Sequence, residues 1–170
     1  LHCGDIIDGI MPRNEDTRFL QTPEEFEEYV IQNYPTDFEK NYIISGNHEA
    51  SLKGINGTDY DFCREVTKHL PGVTYVENQT PIVGPGNIMF YANHGTRSCS
   101  TINSPRTKQL KKKTVQLMSS GCFGHIFVYG HCHNFSYIPS YMNATVVGLG
   151  CFQNITTYIR KKFTGVDLCG

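Results

Sequence analysis

Short apolar runs alternate along the chain with amphipathic stretches, and the spacing of their apolar positions separates strands from helices. Residues 22–33 (TPEEFEEYVIQN) begin on Thr-Pro, carry acids early and place Phe26, Tyr29 and Val30 at helical spacing. That pattern predicts a helix with its carboxylates near the positive end of the helix dipole. Residues 41–45 (NYIIS) form a short apolar run into Gly46, which predicts a buried strand. Residues 59–69 read as a second amphipathic helix halted by Pro71-Gly72, and residues 107–119 as a third. Strands are expected at 73–76, 87–92, 125–129 (HIFVY), 144–149 and 156–163. Ile6 and Ile7 read as a strand end running into a loop. The tyrosines and phenylalanines, ten of each, are expected mostly in core and sheet. The alternation predicts an α/β fold.

Four polar clusters follow apolar runs of this kind. They are Gly4-Asp5-Ile6-Ile7-Asp8, Gly46-Asn47-His48-Glu49, Asn93-His94-Gly95 and Gly130-His131-Cys132-His133. In α/β folds, ligands bind in loops beyond the carboxyl ends of strands, so four such clusters can converge. Gly4, Gly46 and Gly130 let the backbone turn tightly beside a ligand. Residues two apart in an extended stretch point the same way, so His131 and His133 are expected to share a face, with Cys132 turned away. Together the clusters offer carboxylates, amide oxygens and imidazoles. Such a mixed oxygen and nitrogen set suits manganese, iron, zinc or a similar ion rather than calcium alone.

Composition narrows the setting. The 170 residues suit one domain, and 39% hydrophobic with 18% charged residues fits an ordinary globular protein. A net charge of −1 gives no global field toward nucleic acid or a membrane surface. No apolar run approaches the roughly 20 residues of a membrane helix. Seven cysteines, an odd and widely spaced number without a Cys-x-x-Cys pair, read as reduced and mostly buried thiols in a cytoplasmic protein. Sequons starting at Asn56, Asn78, Asn134, Asn143 and Asn154 leave a secreted location open.

Taken in order, the four clusters resemble the signature of the calcineurin-like metallophosphoesterases. That signature runs Asp-x-His, Gly-Asp-x-x-Asp, Gly-Asn-His-Glu/Asp, a single His, then Gly-His-x-His, and the resemblance here covers residues 4–133. It implies a four-layer αββα sandwich of two mixed β-sheets flanked by helices, within a single domain over residues 1–170. It implies hydrolysis of phosphate esters at a dinuclear centre of divalent ions (Mn, Fe, Zn or Mg). Asp5 would bridge the two ions, Asn47, His94 and His131 would complete one site, and His133 would serve the other. His48 would sit beside the substrate phosphate, with Asp8 orienting it, and Glu49 would be structural.

The opening Asp-x-His is absent, and His2 has no Asp two positions before it. The expectation is therefore a partial domain lacking its first strand. It should bind one ion as it stands and two when intact. Two rival readings carry different chemistry. A phosphodiesterase or nuclease would use Arg106, Lys108, Lys111, Lys112 and Lys113 on nucleic acid, although a solvated helix face explains that run more simply. A non-catalytic protein-binding scaffold would have no need of His48 and the ligand set. Arg97, just past His94, is a candidate substrate-phosphate contact. Residues 148–153 (GLGCFQ) read as a structural turn near the site.

Overall fold

The computed structural model describes residues 1–16, 18–53, 60–95, 106–131, 133 and 135–151. The chain divides into two compact units, Leu1–Glu77 and Asn78–Gly170.

The first unit holds three parallel strands, β1 (His2–Cys3), β2 (Asn41–Ile44) and β3 (Val73–Tyr75), in the order β1-β2-β3. His2 pairs with Ile43, and Asn41 pairs with Val73. The first strand ends at Cys3, so Ile6 and Ile7 lie in the loop beyond it rather than at its end. Helix α1 (Pro23–Asn33) starts where the sequence places it. Thr22 Oγ1 accepts the Glu25 N–H and Glu25 Oε2 accepts the Thr22 N–H, each at 3.2 Å, which closes a capping box around Pro23. Phe26 and Val30 enter the core, whereas Tyr29 is 45% exposed and packs edge-on against the exposed ring of Phe19. Its position falls at the margin of the apolar stripe, where helical spacing alone does not separate core from rim.

Helix α2 (Phe62–Thr67) is shorter than expected because Asp61 caps it, accepting the Arg64 N–H at 3.2 Å. The same carboxylate accepts the Ser45 hydroxyl at 2.6 Å and the Tyr75 hydroxyl at 3.0 Å. Ile43, Leu52, Phe62, Cys63 and Val66 complete this core, each at 1% exposure or less.

The second unit is built on five strands. They are β4 (Pro81–Val83), β5 (Met89–Asn93), β6 (Ile126–Tyr129), β7 (Ser136–Tyr141) and β8 (Ala144–Gly148), ordered β4-β5-β6-β8-β7. The three central strands run parallel, and the two edge strands run antiparallel to their neighbours. Helix α3 (Arg106–Ser119) packs on this sheet through Leu110, Thr114 and Leu117, three buried residues at helical spacing. Thr114 is accommodated because its hydroxyl bonds the Leu110 carbonyl and the Tyr129 hydroxyl, both at 2.9 Å. The aromatic rings divide between core and surface. Tyr91 and Phe127 stack in the core, while Phe19, Phe38, Phe123 and Phe135 are more than half exposed.

The protein is thus mixed α/β, with a three-stranded and a five-stranded sheet, each carrying helices. Among the described residues the smaller sheet is wholly parallel, so only the larger one is mixed. The strand expected at 156–163 lies outside the described residues.

Parallel pairing positions the chemistry. Because β1 and β2 run parallel, Gly4–Asp8 and Gly46–Glu49 leave their sheet at the same carboxyl edge. Because β5 and β6 run parallel, with Asn93 paired to Tyr129, His94 and His131 leave theirs at one edge as well. Strand β8 is parallel to β6, so Leu149 leaves that edge too, its N–H donating to Tyr129 O at 2.8 Å.

Candidate metal centre

In the first unit, Glu49 organises both motif loops. Its side chain is buried and accepts four backbone N–H groups: Asp5 at 3.1 Å, Ile6 at 2.6 Å, Ile7 at 3.4 Å and Gly46 at 2.7 Å. Burial, then the neighbouring Asp5 carboxylate, raise the Glu49 carboxyl above its ordinary range, while accepted N–H groups pull it back. This carboxylate therefore pins the chain around Asp5, which has a left-handed backbone at φ 57°.

Asp5 Oδ1 accepts the His48 N–H at 3.0 Å. The His48 ring is buried between two carboxylates, with Nε2 3.8 Å from Asp5 Oδ2 and Nδ1 3.4 Å from Asp8 Oδ1. Asn47, one residue earlier, is exposed. Gly9 lies against the same loop. A Cβ there would meet His48 O and Ser51 Oγ at 2.5 Å, so the close approach requires glycine.

In the second unit, His94 is buried at the end of β5, and its N–H donates to Asn78 Oδ1 at 3.1 Å. Asn93 braces the turn on both sides. Its side-chain oxygen accepts the Gly95 N–H at 2.8 Å, and its carbonyl accepts the Gly130 N–H at 3.1 Å. The result brings His131 Nδ1 to 3.2 Å from His94 Nε2, with the two rings nearly perpendicular. Two imidazoles bound to one ion at about 2.0–2.1 Å place their nitrogens roughly 3 Å apart. The pair therefore fits a shared divalent ion.

His131 and His133 adopt left-handed backbone, at φ 67° and 53°. Neither residue is extended, so the alternation expected from a strand does not apply to the pair. Cys132 and Arg97 lie outside the described residues. Among the described cysteines, Cys3, Cys63 and Cys122 are buried. Asn78 is legible in the sequence only as the start of a sequon. No motif marks Asn78 or Ser51, because their roles depend on backbone groups distant in the chain.

The calcineurin-like phosphoesterase family model matches residues 1–168. The chain belongs to that family, whose members bind divalent metals and typically hydrolyse phosphate esters. No curated protein matches the chain. Among the described residues, no helix is long and apolar enough to cross a membrane.

Proposed function

We propose that this protein hydrolyses phosphate esters at a dinuclear metal centre. Asp5, Asn47, His94, His131 and His133 are the residues that would hold the ions. The observation that carries this reading is the 3.2 Å approach of His94 Nε2 to His131 Nδ1, the spacing of neighbouring ligands on one ion. When bound, the ions supply Lewis-acid neutralisation of phosphoryl charge and activation of water.

The remaining work falls to side chains of the chain itself. Asp8, facing His48 Nδ1, holds a proton on that nitrogen and fixes the ring's direction. The other nitrogen, Nε2, then delivers a proton to the departing alcohol oxygen. Glu49 keeps the Asp5 and Gly46 turns in place through its four accepted N–H groups. Arg97 is the proposed substrate-phosphate contact.

The test is His48→Ala assayed on an aryl phosphate with Mn²⁺ at saturation. The expected loss in kcat is about 10²- to 10⁴-fold. An unchanged kcat removes His48 from the mechanism, and absence of turnover in metal-loaded wild type removes the enzyme reading. Parallel assays on a phosphomonoester, a small diester and single-stranded DNA sort the substrate class.

A further inference from the structure

The turn that carries Asp8 is short, glycine-containing and outside regular secondary structure, yet it must hold a carboxylate against His48. Two residues outside the four motifs clamp it. Asn14 is 5% exposed, and its side chain bonds the turn three times. Its Nδ2 donates to Asp8 O at 3.2 Å and to Gly9 O at 2.9 Å, and its Oδ1 accepts the Met11 N–H at 3.1 Å. Ser51 holds the other side. Its hydroxyl accepts the Ile10 N–H at 3.0 Å and donates to His48 O at 2.6 Å, which ties the turn to the histidine's own backbone.

We propose that Asn14 is a positioning residue, fixing the Asp8–Met11 turn so that the Asp8 carboxylate stays against His48 Nδ1, with Ser51 locking the opposite side. The inference rests on the role given above to Asp8 and His48. The arrangement makes Asn14 specific rather than generally polar. An amide supplies two donors and an acceptor in one plane, and the turn presents two carbonyls and one N–H to it. The substitution Asn14→Asp keeps the acceptor but sets a carboxylate against two carbonyls. The exchange is nearly isosteric, so it disturbs the turn without opening a cavity.

The experiment compares wild type, Asn14→Asp, Ser51→Ala, Asp8→Asn and the Asn14→Asp/Asp8→Asn double variant in the full chain. The first readout is the His48 ring ¹⁵N spectrum in metal-free protein at one fixed pH, assigned by its loss in His48→Gln. Asn14→Asp and Asp8→Asn should both shift the protonated Nδ1 signal toward the other tautomer. The second is kcat and KM on an aryl phosphate with Mn²⁺. Loss of an orienting partner typically lowers activity about 10- to 100-fold. Asn14→Asp should lower kcat with KM little changed, and the double variant should be no slower than Asp8→Asn alone, because both act through one contact. A folded Asn14→Asp protein whose His48 spectrum matches wild type overturns the proposal, as does additivity in the double variant. Should Asn14→Asp fail to fold, Ser51→Ala carries the same spectral test. The spectral arm decides even where no phosphatase activity is found, so failure of the positioning role and failure of the enzymatic reading give different results.

Discussion

At the scale of single residues, groups proposed for chemistry stand apart from groups that are only sealed. His48 and Asp5 belong to the first kind, with ring nitrogen and carboxylate oxygen 3.8 Å apart. Cys3 belongs to the second. Burial pushes its thiol up to about 12, against an ordinary value of 9.0, with the chain's terminal ammonium pulling slightly the other way. The unfolded chain therefore loses this proton first. Below the unfolded value the contribution to stability is intact. Between the two values only the unfolded state has ionised, so stability falls as pH rises. Urea unfolding should show a lower midpoint at about pH 10.5 than at about pH 8, and Cys3→Ala should flatten that decline. The proposed site residues are legible because their chemistry is unusual for its spacing: Asp5, Asn47, His48, His94 and His131 all follow strand ends. Their supports are not, because Asn14, Ser51 and Asn78 act on backbone groups that no sequence pattern advertises.

At the scale of elements, local signals succeed where they are self-contained. Helix α1 carries its own start signal in Thr22, Pro23 and Glu25, and the sequence alone places its boundary. Thr22→Ala should destabilise the protein by about 1 kcal/mol, seen as a reduced urea midpoint with unchanged slope. Strands β4 and β7 are not legible in the sequence, and the cause is the same in both. Pro81 and Pro139 interrupt runs that would otherwise read as strands. Both strands lie at sheet edges, where a missing N–H can face away from the ladder. The return from β7 to β8 uses Met142 and Asn143, at φ 51° and 63°, the two positive values that a tight type I′ hairpin turn needs. Only Asn143 hints at this in the sequence, since methionine rarely takes that conformation.

At the scale of the whole molecule, α/β alternation is legible from periodicity, while the two-sheet architecture comes from family resemblance. Periodicity reports which face of an element is apolar, not which strand becomes its neighbour. The family match over residues 1–168 and the two sheets agree with that resemblance. The proposed metal centre makes a prediction at this scale. Mn²⁺ at about 100 times its Kd should stabilise the folded protein by about 2.7 kcal/mol. A rise in the thermal midpoint with added Mn²⁺, lost in His94→Ala, would match that expectation. An equal rise in both proteins would place the ion elsewhere.

The coiled backbone at His133, with φ 53°, bears on stability as well as on the proposed metal centre. A side chain in that conformation is disfavoured by about 1–2 kcal/mol, and glycine relieves it at a smaller entropic penalty. Replacing His133 by glycine should therefore raise resistance to denaturant by about 0.5–1 kcal/mol in EDTA, while lowering metal retention. A screen for thermal robustness run without metal would select that substitution, and a screen for turnover would discard it.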